Sequence, residues 1–178
     1  ALVALEAKAA LTEFGKALPM SFPNDVVPVF TRNHCNTGAC HAKATGQNGF
    51  KLSLFGFDGV FDHHAIATDA RGRRISRSAA RQSLMLLKAT AVTPHGGGKR
   101  FEVDSEPYKI LMAWIESGAP ASAPTVPHVQ SIRIEPREAL LAPEALQQLR
   151  VVATYSNGTE RDVTRQADYA SNLDVVAR

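Results

Sequence analysis

Both cysteines of the chain fall within one octapeptide, HCNTGACH at residues 34–41, and a histidine follows the second directly. Any fold must therefore bring two thiols and an imidazole to one place. Three chemistries use such a cluster. The thiols can form thioethers with the vinyl groups of a haem while the imidazole binds its iron. The usual attachment motif has two residues between the cysteines; here Asn36, Thr37, Gly38 and Ala39 make four. A longer spacer must bulge outward, and Gly38 is expected to supply the positive φ that a bulge needs. Zinc is the second chemistry, with His34, Cys35, Cys40 and His41 as ligands. Adjacent side chains diverge, however, and would strain a tetrahedron. The third is a disulfide between Cys35 and Cys40, formed in an oxidising compartment.

A six-coordinate haem iron needs a second axial ligand. His95, in TPHGGGKR, is the favoured candidate, because the glycines allow backbone to approach a flat cofactor closely. Met85 and Met112 lie on apolar helical stripes and read as core. His63 and His64 sit in a polar stretch, His34 abuts a cysteine and His128 lies in a linker. Phe50, Phe55, Phe57 and Trp114 are expected to wall the pocket. One or two of Arg71, Arg73, Arg74, Lys99 and Arg100 are expected to neutralise the propionates, since buried carboxylates require cationic partners.

The elements follow from spacing. Residues 1–21 alternate Ala, Leu and charge as a helix would, until Pro19 and Pro23 intervene. Asp25 is expected to cap a short helix, VVPVFTRN. FKLSLFGF alternates like a strand, DGVFDHHAIATDA reads as irregular, and SRSAARQSLMLLKA reads as a helix burying Leu84 and Leu87. The clearest element is DSEPYKILMAWIESGAP. Asp104 or Ser105 caps it, Tyr108, Leu111, Met112 and Ile115 recur at helical spacing, and Gly118 ends it. A Pro- and Ala-rich linker at 121–128 follows. Beyond it, VQSIRIEP and QQLRVVATY alternate like strands, and Asn157-Gly158 is a strong hairpin signal.

Charge divides at the same place. Residues 1–124 carry fourteen Lys and Arg against ten Asp and Glu, whereas residues 125–178 carry six against seven. Much of the excess lies in RGRRISRSAAR, which could dock an acidic partner. Without interleaved aromatics it gives no support to nucleic-acid binding. No apolar run reaches the length of a membrane span. The N-terminus, without Met and with Glu6, Lys8 and Glu13, reads as mature or trimmed rather than as a signal peptide.

The order of these pieces is similar to small monohaem cytochromes c. More closely, DVVPVFTRNHCNTGACHAKATGQNGFKLSLFGFD and PHGGGKRF resemble the cytochrome c-like modules of planctomycete-type surface proteins, over roughly residues 22–122. Ala42-Lys43 after His41 departs from the expected pattern without touching a ligand. The resemblance implies haem thioethers at Cys35 and Cys40 and iron bound by His41, with His95 opposite. Residues 129–178 resemble the first part of a group 2 bacterial immunoglobulin-like domain, which suggests a piece of a longer protein. The expected organisation is an N-terminal helix at 1–21, a mainly α cytochrome c-like domain at 22–120, a linker at 121–128 and a partial all-β immunoglobulin-like segment at 129–178. The expected function is electron transfer by one covalent haem c on an exported periplasmic or cell-surface protein, with a redox partner whose acidic surface would suit the arginines. A haem enzyme or sensor with an open distal site, and a non-haem adhesion module, are the alternatives.

Overall fold

The structure, a computed structural model, describes residues 20–44, 46–123 and 125–173. The helix expected over 1–21 lies almost wholly outside the described residues. The chain divides into two compact units, 1–128 and 129–178.

The first unit is built from short helices joined by tight turns. A π-helical turn at Phe22–Val26 runs into helix α1, Val27–Arg32. The cap is Ser21 rather than Asp25: its hydroxyl accepts from Asn24 N, and the buried Asp25 carboxylate accepts from Ser21 N at 2.7 Å. The stretch read as irregular forms helix α2, Gly59–Ala67, capped by the Asp58 carboxylate accepting from Phe61 N. The long helix expected over 76–89 shrinks to α3, Leu84–Ala89. Ser83 is extended there, and its buried hydroxyl accepts from Ser76 N at 2.9 Å, which holds the preceding residues off the helical path. Leu86 is the fully buried leucine of α3, with Leu84 and Leu87 only partly covered. Helix α4, Glu106–Glu116, follows its sequence signals, with Ser105 as cap and Gly118 at φ +96 beyond its end. Its Tyr108, Leu111, Trp114 and Ile115 pack with Phe22, Phe30, Leu52 and Ile66 in one apolar core.

The strand expected over 50–57 does not form. Phe50 makes a single bridge to Gln47, and Leu54–Gly56 is a 3₁₀ turn with Phe55 at φ +53. The turn is locked because Phe55 N donates to Asn36 O and Gly56 lies against Val27, where a Cβ would sit 2.1 Å from Cγ1.

The second unit is an antiparallel sheet in the order β1 (Val129–Glu135), β2 (Arg150–Tyr155), β3 (Glu160–Asp162). Gly158 takes φ +78 in the β2–β3 turn, and Asn157 Oδ1 accepts from Thr159 N and Oγ1. Pairing places Ile132 and Ile134 on one face with Ala153 and Val151. The other face carries a charged ladder of Arg133, Glu135, Arg150, Glu160 and Asp162.

The fold class expected from sequence is corrected by this architecture. The described chain is mixed, with four short α-helices and one three-stranded sheet, rather than a mainly α domain followed by an all-β immunoglobulin-like one. Left-handed residues and extended serines interrupt the helices of the first unit. The second unit has one sheet among the described residues, whereas a sandwich needs two facing sheets. No helix among the described residues is long and apolar enough to cross a membrane.

Candidate functional site

Helix α1 ends in a Schellman motif that places the first cysteine. His34 N donates to Thr31 O and Cys35 N to Phe30 O, with His34 itself left-handed at φ +56. The left-handed residue of the octapeptide is thus His34, which is exposed, and not Gly38. The four-residue spacer then closes on itself: Cys40 N and Ala42 N donate to Thr37 O, and His41 N donates to Cys35 O at 3.0 Å. Asn36 is buried beneath the loop, its Nδ2 on Thr31 Oγ1. Cys35 and Cys40 are free thiols, both partly buried. Burial pushes the Cys35 thiol up to about 11; the Arg100 guanidinium pulls it the other way and Cys40 adds to the rise.

A second turn fixes the imidazole. Asn48 and Gly49 both take positive φ between Gln47 and Phe50, whose backbones exchange two hydrogen bonds, as an Asn-Gly hairpin turn requires. The Phe50 carbonyl lies 3.0 Å from His41 Nδ1. A carbonyl only accepts, so Nδ1 carries the proton and Nε2 of the neutral ring keeps its lone pair. Arg74 braces this turn: Nη2 donates to Gly49 O, Nη1 donates to Ala65 O and Asp69 O, and the guanidinium lies 4.6 Å from the Phe50 ring centroid. Burial holds the His41 pKa below its usual value; the Phe50 bond opposes this, and His95, Arg74 and Arg100 add to the lowering. The ring is therefore kept neutral, the form that binds metals.

His95 is presented by a glycine turn. Gly98 N donates to His95 O, and His95 Nδ1 lies 2.8 Å from Gly98 O, so this ring also leaves Nε2 free. The turn is anchored to α3 by Thr93 N on Leu87 O, Lys88 Nζ on Pro94 O and Arg100 N on Ala89 O. The result is a pair of imidazoles with centroids 6.2 Å apart and planes within 11° of parallel.

The other sequence candidates are scattered. Phe50 stands beside His41, ring centroids 4.4 Å apart. Phe55 and Phe57 face outward, 59% and 93% exposed, because the Phe55–Asn36 bond and the left-handed backbone turn them away from the core. Trp114 is fully buried against Phe22 and His63, with Nε1 donating to Pro120 O. His63 lies on α2 with Nε2 3.0 Å from Ala119 O, and His64 pairs with Asp69. Met85 and Met112 pack on the core. The donors of Arg74 serve backbone carbonyls and Lys99 pairs with Glu102, which leaves neither poised for a propionate. Among the described residues, no group of three His, Cys, Asp or Glu side chains is gathered as a metal ion's ligand set. Sequence reasoning missed the Gln47–Phe50 turn, and it assigned Arg74 to a propionate whereas its donors brace that turn and neighbouring backbone. The Asn48-Gly49 dipeptide is the sequence signal for that turn.

No known protein family, curated protein or solved structure matches the chain.

Proposed function

We propose that the chain carries one haem c, bound through thioethers at Cys35 and Cys40 with His41 and His95 as axial ligands, and that it transfers single electrons. The observation that carries this reading is the pair of near-parallel imidazoles 6.2 Å apart, each with Nδ1 on a backbone carbonyl. The fit is one of donor chemistry. Binding of one iron by both would require the two Nε2 lone pairs, which lie in their ring planes, to aim at one point between the rings at bonds of about 2 Å. Metal-bound histidines characteristically give their other nitrogen to such a partner, which fixes tautomer and orientation. Free thiols in the loop that leads directly into one of the rings supply the attachment. The resemblance read in the sequence of residues 22–122 points to the same chemistry.

When bound, the haem supplies a one-electron couple. This chain's residues do the rest. His41 is held neutral, Phe50 and Arg74 fix its ring, and the His95 turn closes the opposite face. Axial methionine would raise the reduction potential, so two imidazoles put it on the low side. Two imidazoles on the iron would leave no position for a small ligand, which suits an electron carrier better than a catalyst. Covalent haem attachment takes place outside the cytoplasm, so the reading carries export with it. The exposed Arg71 and Arg73 suit a redox partner with an acidic surface.

The test is the mass and the pyridine haemochrome spectrum of the chain produced in a host that attaches haem c. The expected result is one haem's mass added to the chain and a haem c band that survives denaturation. A bare-chain mass without that band would refute the proposal. His95→Ala should convert the low-spin spectrum to high-spin; an unchanged spectrum would remove His95 from the ligand set.

A further inference from the structure

Arg100 touches both loops that furnish the site. Its backbone N–H is fixed to Ala89 O at 2.7 Å, at the end of α3. Its Nη2 reaches back to the Gly97 carbonyl, inside the turn that carries His95, and lies 3.9 Å from Cys40 Sγ. Gly97 makes this possible. A Cβ there would stand 3.0 Å from Arg100 Nη2 and 3.0 Å from His95 Cε1, so the guanidinium and the imidazole close on the same bare backbone. None of the ion pairs among the described residues involves Arg100. The group is spent on a carbonyl and a sulfur instead.

We propose that Arg100 is a positioning residue, a clamp that ties the His95 turn to the Cys40 edge of the site and holds the His95 ring opposite His41. The inference rests on the haem reading above. His41 is tethered by the chain to Cys40, whereas the residues from Gly96 to Lys99 are exposed, so His95 is the ligand that needs a brace. Both acceptors are met by Nη2, whose two hydrogens lie fixed in the guanidinium plane, whereas a lysine ammonium carries rotatable donors on a flexible stem. A thioether sulfur remains a weak acceptor, so the contact is compatible with attachment. The clamp role also differs from the propionate role expected from sequence. Vinyl and propionate groups occupy opposite edges of a haem, and a guanidinium beside a thioether sulfur is at the vinyl edge.

The experiment compares the full haem-loaded chain with its Arg100→Gln, Arg100→Lys, Gly97→Ala and Lys109→Gln variants. Covalent haem is measured by mass, spin state by absorption, and carbon monoxide association by stopped flow on the reduced protein. Arg100→Gln and Arg100→Lys should keep their haem and stay folded, with no more than the stability loss of one hydrogen bond. They should shift toward high spin and bind carbon monoxide about tenfold faster, the factor that loss of one charge-assisted hydrogen bond corresponds to. Added imidazole should restore their low-spin spectrum. Gly97→Ala should reproduce the shift by crowding the same two groups, which keeps the test open if Arg100→Gln fails to fold. Lys109→Gln, an exposed position on α4, should match the parent. Wild-type spin state and carbon monoxide rate in Arg100→Gln, or full recovery in Arg100→Lys, would overturn the clamp. A parent chain that carries no haem would defeat the underlying reading instead, and its mass reports that separately.

Discussion

At the scale of single residues, the structure turns on polar groups that local sequence does not advertise as buried. Asp62 is 2% exposed, with Ser53 N donating to Oδ1 at 2.6 Å and Ser53 Oγ to Oδ2 at 2.7 Å. Burial raises its pKa above the ordinary carboxylate value; the Ser53 bonds oppose the shift and Asp58 adds to it. A folded pKa above the unfolded one means that the folded chain holds the extra proton between the two values. The stabilising contribution is then fully present below the unfolded pKa of about 4 and is lost as pH rises through the folded pKa. Asp62→Asn cannot titrate. Its stability should therefore fall less than the parent's as pH rises from about 4 to about 6. Urea unfolding midpoints of the two chains across that range check this, and parallel curves would exclude Asp62 as the titrating group. The same residue explains a failure of sequence reading. DHHAIA looks like a solvated stretch, yet Asp62 is buried on Ser53 and His63 packs on Trp114, so α2 was not legible by apolar spacing.

At the scale of elements, what could be read from the sequence depended on whether an element is specified by its own residues. Helix α4 carries its cap, its apolar period and its terminating Gly118, and its bounds follow from them. The Asn157-Gly158 hairpin is similarly self-contained. The 50–57 stretch is not, because its conformation depends on the distant Asn36 carbonyl and on Val27 packing under Gly56. The candidate site divides in the same way. Cys35, Cys40, His41 and His95 are visible as a motif and a glycine loop, whereas the Phe50 carbonyl and Arg74 enter only when the turn at 47–50 folds back. Gly46 is the hinge of that return. It has φ +65, and a Cβ on it would lie 2.4 Å from Phe50 O, the acceptor that fixes His41. Gly46→Ala is expected to destabilise the first unit by on the order of 1–3 kcal/mol. It should also broaden or shift the His41 ring resonances relative to the parent, because the acceptor is displaced. Parent stability and an unmoved His41 signal in the Gly46→Ala variant would show that the turn does not set the ring.

At the scale of the whole molecule, the residues of the proposed site come from one unit only. Cys35 and Cys40 follow α1, His41 and Phe50 belong to the next turn, and His95 and Arg100 follow α3, all within residues 1–128. A ligand that binds only the folded state stabilises the unit that holds it. Thioethers at Cys35 and Cys40 would tie the group to one loop, so the distant segment that carries His95 would be joined to it only by the coordination bond made in the folded state. The segments at stake are 34–50 and 95–100, which meet at the His41–His95 pair. Amide hydrogen exchange on haem-free and haem-loaded chain should therefore show the largest gain of protection in these two segments. A smaller gain should follow in α3, to which the His95 turn is bonded through Ala89 and Leu87. The amides that pair β2 with β1 and β3 belong to the other unit and should gain least. Protection that rises in β2 as much as at 95–100 would mean that loading stabilises the chain as a single cooperative body. Protection unchanged at 95–100 but raised at 34–50 would mean that the cofactor is held from one side alone, with His95 outside its coordination.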